Sequence, residues 1–564
     1  MVASDIETDL LVVGSGAAGM TAAAVAAAHG LRVMVVEKTD LIGGTTAISG
    51  GMVWIPCDDL LAASDPPDSV ADARRYLDAV IRTDDGRVMR ERFLDAGPRA
   101  VAYLARHTAV RLRPLAFYPD YYPDLEGFSR GRRVLEPEPF DGATLGSHFA
   151  RLRPPMEAFT LFGGMMVARE DIPHLRRATR SPRSFARAAR LVGSYGLQRL
   201  RHPRGTRLVL GNALAGRLLK SLVDRGVPIL TATDVRELTA AGGRIDGAVI
   251  DGGDGPRRVR ATRGVVLATG GFSHDPELRR RYLPAEVATE SPFGPGSTGD
   301  GLRLGVAAGA VIDDHNSDNA YWTPASVYRR RDGAVVTYPH TVTDRGKPGS
   351  IVVDAAGRRF TNEAVSYHRF VQAMLDAHAR APTIPACMIC DRTFLWRYGL
   401  GAIRPFTTNL RPYLEAGYLI EAPGLGALAT RLGIDGSGLE ATVTEFNADA
   451  RTGVDRRFAR GADVYSRYLG DGDVGPNPCL APLEIAPYYA IRLVPSDLGT
   501  VAGLRTDVDA RVLDAGDRPV PGLYAAGGDM RSIMCGRYPG PGITLGPALT
   551  FGYLAGVHAA GSTG

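Results

Sequence analysis

The chain has 564 residues, 45% hydrophobic and 23% charged, with a net charge of +5. Its length exceeds what one core can hold, so two domains are expected, and its composition is that of an ordinary soluble globular protein. The five cysteines are scattered, as reduced thiols in a large cytosolic enzyme would be, and do not suggest a disulfide framework.

The N-terminal stretch MVASDIETDLLVV lacks a positive n-region, and no long uncharged stretch follows, so a cytoplasmic location is expected. Asp9 to Val13 form an apolar run that predicts a strand. It leads into Gly14-Ser-Gly16-Ala-Ala18-Gly19 and an alanine-rich helical stretch; a second apolar run, Leu31 to Val36, ends at Glu37 and Lys38. Strand, glycine turn, helix and an acid placed to accept from ribose hydroxyls make an adenine dinucleotide site.

A second loop, Gly43-Gly44-Thr45-Thr46-Ala-Ile-Ser49-Gly50-Gly51, supplies backbone and hydroxyl donors that NAD does not need and a flavin does, which points to FAD. Further contacts are expected from Ala268, Thr269 and Gly270 in VVLATGG, from Gly527 and Asp529 in GLYAAGGD, and from Gly542 and Leu545. Because the second half of the nucleotide domain lies after residue 500, the intervening chain must be an insertion. The expected fold is α/β: a Rossmann-like FAD-binding domain over 1–297 and 495–564, with an inserted α+β substrate (cap) domain over 298–494.

Between Arg176 and Arg207 there are ten arginines and no acid, interleaved with Phe185, Leu191, Val192, Tyr195, Leu197 and Leu200. This reads as a solvated basic helical face; the sharper alternative is peripheral contact with an anionic membrane. No nucleic-acid motif accompanies the charge, and no nucleic-acid partner is expected. Cys387-Met-Ile-Cys390 sits in an apolar run and reads as buried strand; no metal site is expected.

The motifs GSGAAG, GGTTAISGG, RGTRLVLGNAL, STGDGLRL, FTNEAVSY and GRYPGPGITLGPALTFGYLA span nearly the whole chain. Together they resemble the flavoproteins related to fumarate reductase and succinate dehydrogenase, and among them the 3-ketosteroid Δ1-dehydrogenases. The resemblance implies desaturation of a 3-ketosteroid between C1 and C2, and it makes the segment at about 151–203, which carries the arginines, an insertion relative to shorter members of the family. It has departures from the dicarboxylate reductases: Ser496 to Leu504 lacks a substrate histidine, and GGTTAISGG lacks a histidine for covalent flavin attachment, so FAD is expected to be non-covalent.

By that resemblance, Tyr538 and the Gly542 amide donate to the C3 carbonyl, with Pro539 and Pro541 stiffening the loop and residue 542 kept bare so that the ligand can approach. Tyr367 takes the C2 proton, assisted by Tyr121 or Tyr118. Asn362 and Glu363 order the loop that carries Tyr367. The expected reoxidant is a quinone or a similar carrier, since no second nucleotide motif is visible. Alternative activities are desaturation of another ring position, an ene-reductase of the fumarate reductase type, or a flavin-binding sensor without turnover.

Overall fold

The computed structural model describes residues 3–57, 61, 67–253 and 255–561. The first strand, Ala3–Val13, lies inside an eight-stranded sheet. Its parallel neighbours are Val33–Val36 on one side and Gly255–Leu267 on the other. Leu10, Leu11 and Val12 are fully buried, as the uninterrupted apolar run requires of a strand covered on both faces. The long strand Gly255–Leu267 changes partner along its outer edge. Its first half pairs antiparallel with Arg244–Gly252, and its last residues pair parallel with Pro519–Ala525. The chain after residue 500 thus returns to the nucleotide sheet.

The helix Ala17–Ala28 has no polar face because two other helices cover it: Leu210–Val223 and the C-terminal Leu545–Ala559. Contact with the latter is close enough that a side chain at Gly552 or Gly556 would run into Ala18, Ala22 or Val25.

A second, six-stranded sheet contains Ala320–Arg329, Val335–Pro339, Ser350–Val353, Ala386–Asp391, Ile420–Ala422 and Tyr488–Thr500. Its last strand runs unbroken from Tyr488 to Thr500 and pairs with Ala320 at its far end. The boundary drawn from sequence at 494/495 therefore falls inside one strand, and the return to the first domain comes after Thr500. Cys387 and Cys390 lie on the strand Ala386–Asp391, buried, as the apolar run suggested.

The basic stretch forms the helix Pro182–Arg199, its N-terminus capped by Ser181. It packs on the short helix Ile172–Arg176 beside the cavity described next.

Candidate active site

One cavity of about 1420 Å³ runs from the glycine turn of the first strand to the inserted sheet. Of the residues singled out from sequence, Gly14, Gly16, Ala18, Glu37, Lys38, Gly44, Thr45, Thr46, Ser49, Gly50, Gly51, Ala268, Thr269, Gly270, Gly527, Gly542, Leu545, Tyr121, Tyr367 and Tyr538 line it. Gly19 and Asp529 do not. Gly19 faces the turn, where a side chain would collide with the Gly14 carbonyl. The Asp529 carboxylate points into the protein, accepting from the Thr269 amide (2.5 Å), the Thr269 hydroxyl (2.8 Å) and the Gly271 amide (3.0 Å). Burial pushes this carboxyl up to about 6 against the pull of those bonds. Asp529 therefore shapes the turn beneath the ligand.

The cradle fits an adenine dinucleotide. A Cβ would meet nothing at Gly50 and only ordinary contacts at Gly16 and Gly44, so the main chain there can be approached closely. Glu37 is held by Ser15 (amide 3.1 Å, hydroxyl 2.6 Å) and by Thr39 (amide and hydroxyl, both 2.9 Å). Lys38 is paired with Asp300 of the TGDG segment at 2.6 Å. Sequence reasoning missed Arg153: it lines the cavity beside Thr39, and its buried Nε has no hydrogen-bond partner. No motif carries it, because it reaches this end of the cavity only through the fold.

At the other end stand the tyrosines. The Tyr121 hydroxyl donates to that of Tyr367 at 3.1 Å. The Tyr538 ring lies 5.1 Å from Tyr367, 5.6 Å from Tyr121 and 4.9 Å from Tyr321, centroid to centroid. Tyr465 packs on Tyr121 at 4.9 Å, and Tyr468 on Tyr118 at 4.8 Å. Burial raises Tyr121, Tyr367 and Tyr465 well above the ordinary phenol value and pushes Tyr538 up to about 12. Two cations border the cluster: Arg169 lies over the Tyr118 ring, and Arg345 pulls against the burial of Tyr465.

The YPGPG loop is held by more than its prolines. The Pro539 carbonyl accepts from the Tyr76 hydroxyl (2.6 Å) and the Tyr121 amide (2.9 Å), and the Gly542 carbonyl accepts from the Trp54 amide (3.1 Å). Trp54 and Arg133 both donate to the buried Asp120, each at 2.8 Å. Gly542 is bare for a different reason from the one expected. Its φ is +96°, and a Cβ there would stand 2.5 Å from the Met52 carbonyl, so the protein's own main chain demands the glycine.

Tyr367 opens the helix Tyr367–His378, capped by Ser366. Just before it, Glu363 accepts two bonds from Arg359 (both 2.7 Å) and one from Arg460 (3.2 Å). Burial alone would raise this carboxyl; the two guanidinium groups hold it below its ordinary value. Asn362 caps the turn through the Ala364 amide at 2.8 Å.

The segment 151–203 borders the same cavity, where Met156, Phe159, Leu161, Leu175 and Val192 form an apolar wall.

The family model described as "FAD binding domain" matches residues 9–545. A 4-oxocyclohex-2-ene-1-carboxylate 5-dehydrogenase of Sinomonas cyclohexanicum is 40% identical over 98% of this chain and 93% of its own. A 3-oxosteroid 1-dehydrogenase of Mycobacterium tuberculosis is 37% identical over 99% of both. The crystal structure of 3-ketosteroid Δ1-dehydrogenase from Sterolibacterium denitrificans, in complex with 1,4-androstadiene-3,17-dione, superposes with a TM-score of 0.91 at 38% identity, covering 99% of this chain and 100% of that one. The chain belongs to the FAD-binding-domain family, in its 3-ketosteroid Δ1-dehydrogenase branch.

Proposed function

We propose that the protein desaturates 3-ketosteroids between C1 and C2. The observation that carries this is the group Tyr121, Tyr367 and Tyr538, assembled beside the Gly542 loop in the cavity that also holds the dinucleotide cradle. Bound in that cradle, FAD supplies the hydride acceptor. It is held non-covalently, a reading supported by the absence of histidine and cysteine from the cavity lining among the described residues.

The chemistry needs a donor at the C3 oxygen and a base at C2. Tyr538 is suited to donate: raised to about 12, it keeps its proton at any working pH. Gly542 offers the second donor, its amide. Tyr367, as phenolate, takes the C2 proton and becomes the neutral phenol, and Tyr121, which donates to it, stabilises the phenolate beforehand; that bond favours Tyr121 over Tyr118 as the helper. A quinone-class carrier reoxidises the flavin.

The segment 151–203 carries a second contact. Phe162, Phe185, Leu197 and Leu200 are 66%, 64%, 70% and 80% exposed, among arginines and on the segment that walls the cavity. That combination suits an anionic lipid surface, from which an apolar substrate would enter. Sedimentation with phosphatidylglycerol vesicles, lost at high salt and in Phe185→Ser/Leu197→Ser, is the expected result; equal binding to neutral vesicles would overturn it. Among the described residues no helix is long and apolar enough to cross a membrane.

One observation favours a second reading, a one-ring oxo acid. Arg169 lines the cavity and is held by the Tyr468 hydroxyl (2.5 Å) and the Tyr118 ring, without a carboxylate partner among the described residues, so it can receive an anion. The deciding experiment mixes the yellow protein anaerobically with androst-4-ene-3,17-dione or with 4-oxocyclohex-2-ene-1-carboxylate. Flavin bleaching and a product two hydrogens lighter with the steroid support the first reading; bleaching with the acid alone supports the second.

A further inference from the structure

Outside the tyrosine cluster, the inserted sheet holds a buried polar group that the chemistry above does not use. His340 Nδ1 lies 2.6 Å from Asp344 Oδ2, and His340 Nε2 lies 2.7 Å from the Ser326 hydroxyl. The connectivity is that of a hydrolytic triad, but the surroundings are wrong for one. Ser326 is 1% exposed, His340 0% and Asp344 2%, and the Ser326 oxygen also faces the Tyr418 hydroxyl at 2.7 Å, so nothing can reach the serine.

For a neutral imidazole the hydrogen bonds have one consistent direction, set from the Asp344 end. The carboxylate can only accept, so Nδ1 carries the proton, Ser326 donates to Nε2 and Tyr418 donates to Ser326. The Tyr418 oxygen in turn accepts from the Ala402 amide at 2.9 Å. The imidazole proton on Nδ1 faces an Asp344 carboxylate which His340 and Arg345 hold below its ordinary value against the effect of burial. The same carboxylate oxygen accepts from the Gly401 amide at 3.3 Å. Gly401 and Ala402 are adjacent, so the chain of bonds closes into a ring. Gly401 is the residue that lets it close: its φ is +57°, and a Cβ there would overlap the Tyr418 hydroxyl.

The ring joins four pieces of chain. It ties the strand Ala320–Arg329 to the 340–344 loop, to the loop around 401–407 and to Tyr418 beyond it. Both loops wall the cavity, through Thr341, Val342 and Thr343 on one and Arg404, Pro405 and Phe406 on the other. None of the ring's own side chains does.

We propose that Ser326, His340, Asp344 and Tyr418 are positioning residues that fix this wall and thereby set which part of the substrate beyond the reacting ring is accepted, without entering the chemical step. The specificity claim rests on the ketosteroid reading above; the ring itself does not.

The test uses the FAD-loaded full chain as Ser326→Ala, Tyr418→Phe and Ser326→Thr. In the first two, hydrogen exchange of the peptide containing Gly401 and Ala402 should accelerate at least about tenfold, with the peptide containing Tyr538 unchanged. KM for androst-4-ene-3,17-dione should rise at least about fivefold with kcat within about twofold, and preference between this steroid and cholest-4-en-3-one should shift. Ser326→Thr keeps the hydroxyl and should restore both. Unchanged exchange overturns the ring as a positioning device, whether or not a steroid is turned over. Accelerated exchange with kcat falling and KM constant overturns the separation of wall from chemistry. A wild-type protein inert to both steroids would refute the functional reading, while exchange still decides the ring. If Ser326→Ala does not fold, Tyr418→Phe, which removes one oxygen, carries the test.

Discussion

Tyr538→Phe isolates the donor at the C3 oxygen, because it removes one atom and leaves the ring in place. The phenyl group stays packed between Tyr121, Tyr321 and Tyr367 at the same centroid distances, and its 4% exposure leaves no room for bulk water to replace the lost hydroxyl. The Gly542 amide remains, fixed against Met52 and Trp54. Loss of one of two preorganised donors in a dry site is worth about 3 to 4 kcal/mol, or roughly 10²- to 10³-fold in rate. That is the expected fall in the rate constant for flavin reduction, read by anaerobic stopped flow at saturating androst-4-ene-3,17-dione. Substrate affinity should move no more than about threefold, because the donor acts on charge that develops only in the transition state. With its phenol raised to about 12, Tyr538 is protonated throughout the accessible range, so the deficit should be the same at low and high pH. A loss under about tenfold, or one that appears only in KM, would refute the role assigned to this tyrosine.

Three further outcomes follow from other parts of the site. The flavin-reduction rate in the wild type should climb with pH without levelling below about pH 9: Tyr367 is raised above the ordinary phenol value of about 10, so its phenolate fraction increases tenfold per unit below that pKa. A maximum near neutrality in that half-reaction would remove Tyr367 as the base. Glu363→Gln leaves Arg460 without its carboxylate in a fully buried position and should cost about 3 to 5 kcal/mol in urea unfolding of the holoprotein; less than about 1 kcal/mol would mean that the network is idle. Asp529→Asn sets an amide against three donors and should weaken FAD binding about 10- to 100-fold, measured by flavin fluorescence on dilution, and unchanged retention of FAD would show that the turn at Thr269 holds without it.

What the sequence made legible was whatever depends on backbone and short spacing. The strand, glycine turn and helix at residues 9–28 show in the fold as read, because apolar runs and glycine positions act locally. Tyr367 and Tyr538 stood out because each sits in a distinctive motif. Tyr465, Tyr468 and Arg169 did not, since the short helix Val464–Leu469 reaches the tyrosine cluster, and Arg169 the cavity, only through tertiary packing, and nothing near them in the chain marks the contact. The glycine at 542 was found for the wrong cause: its neighbour in space is Met52, and no spacing argument links 52 to 542. The ring through His340 was illegible for the same reason, with members drawn from residues 326 to 418.

The make-up of the tyrosine cluster has its own logic. A buried carboxylate would have served as a stronger hydrogen-bond acceptor, but the buried carboxylates nearby, Asp120 and Glu363, are each committed to a guanidinium group, as burial of that charge demands. A phenol is neutral until it reacts, so several can be packed together at little electrostatic cost, and each hydroxyl both donates and accepts. Only Tyr367 has to carry charge, as the phenolate that the substrate's C2 proton then neutralises. Two positive charges border the cluster in which that phenolate forms, Arg169 beside Tyr118 and Arg345 beside Tyr465. A base built this way is inactive without a substrate whose carbonyl is already polarised by Tyr538 and Gly542, which ties proton removal to correct seating of the ketone.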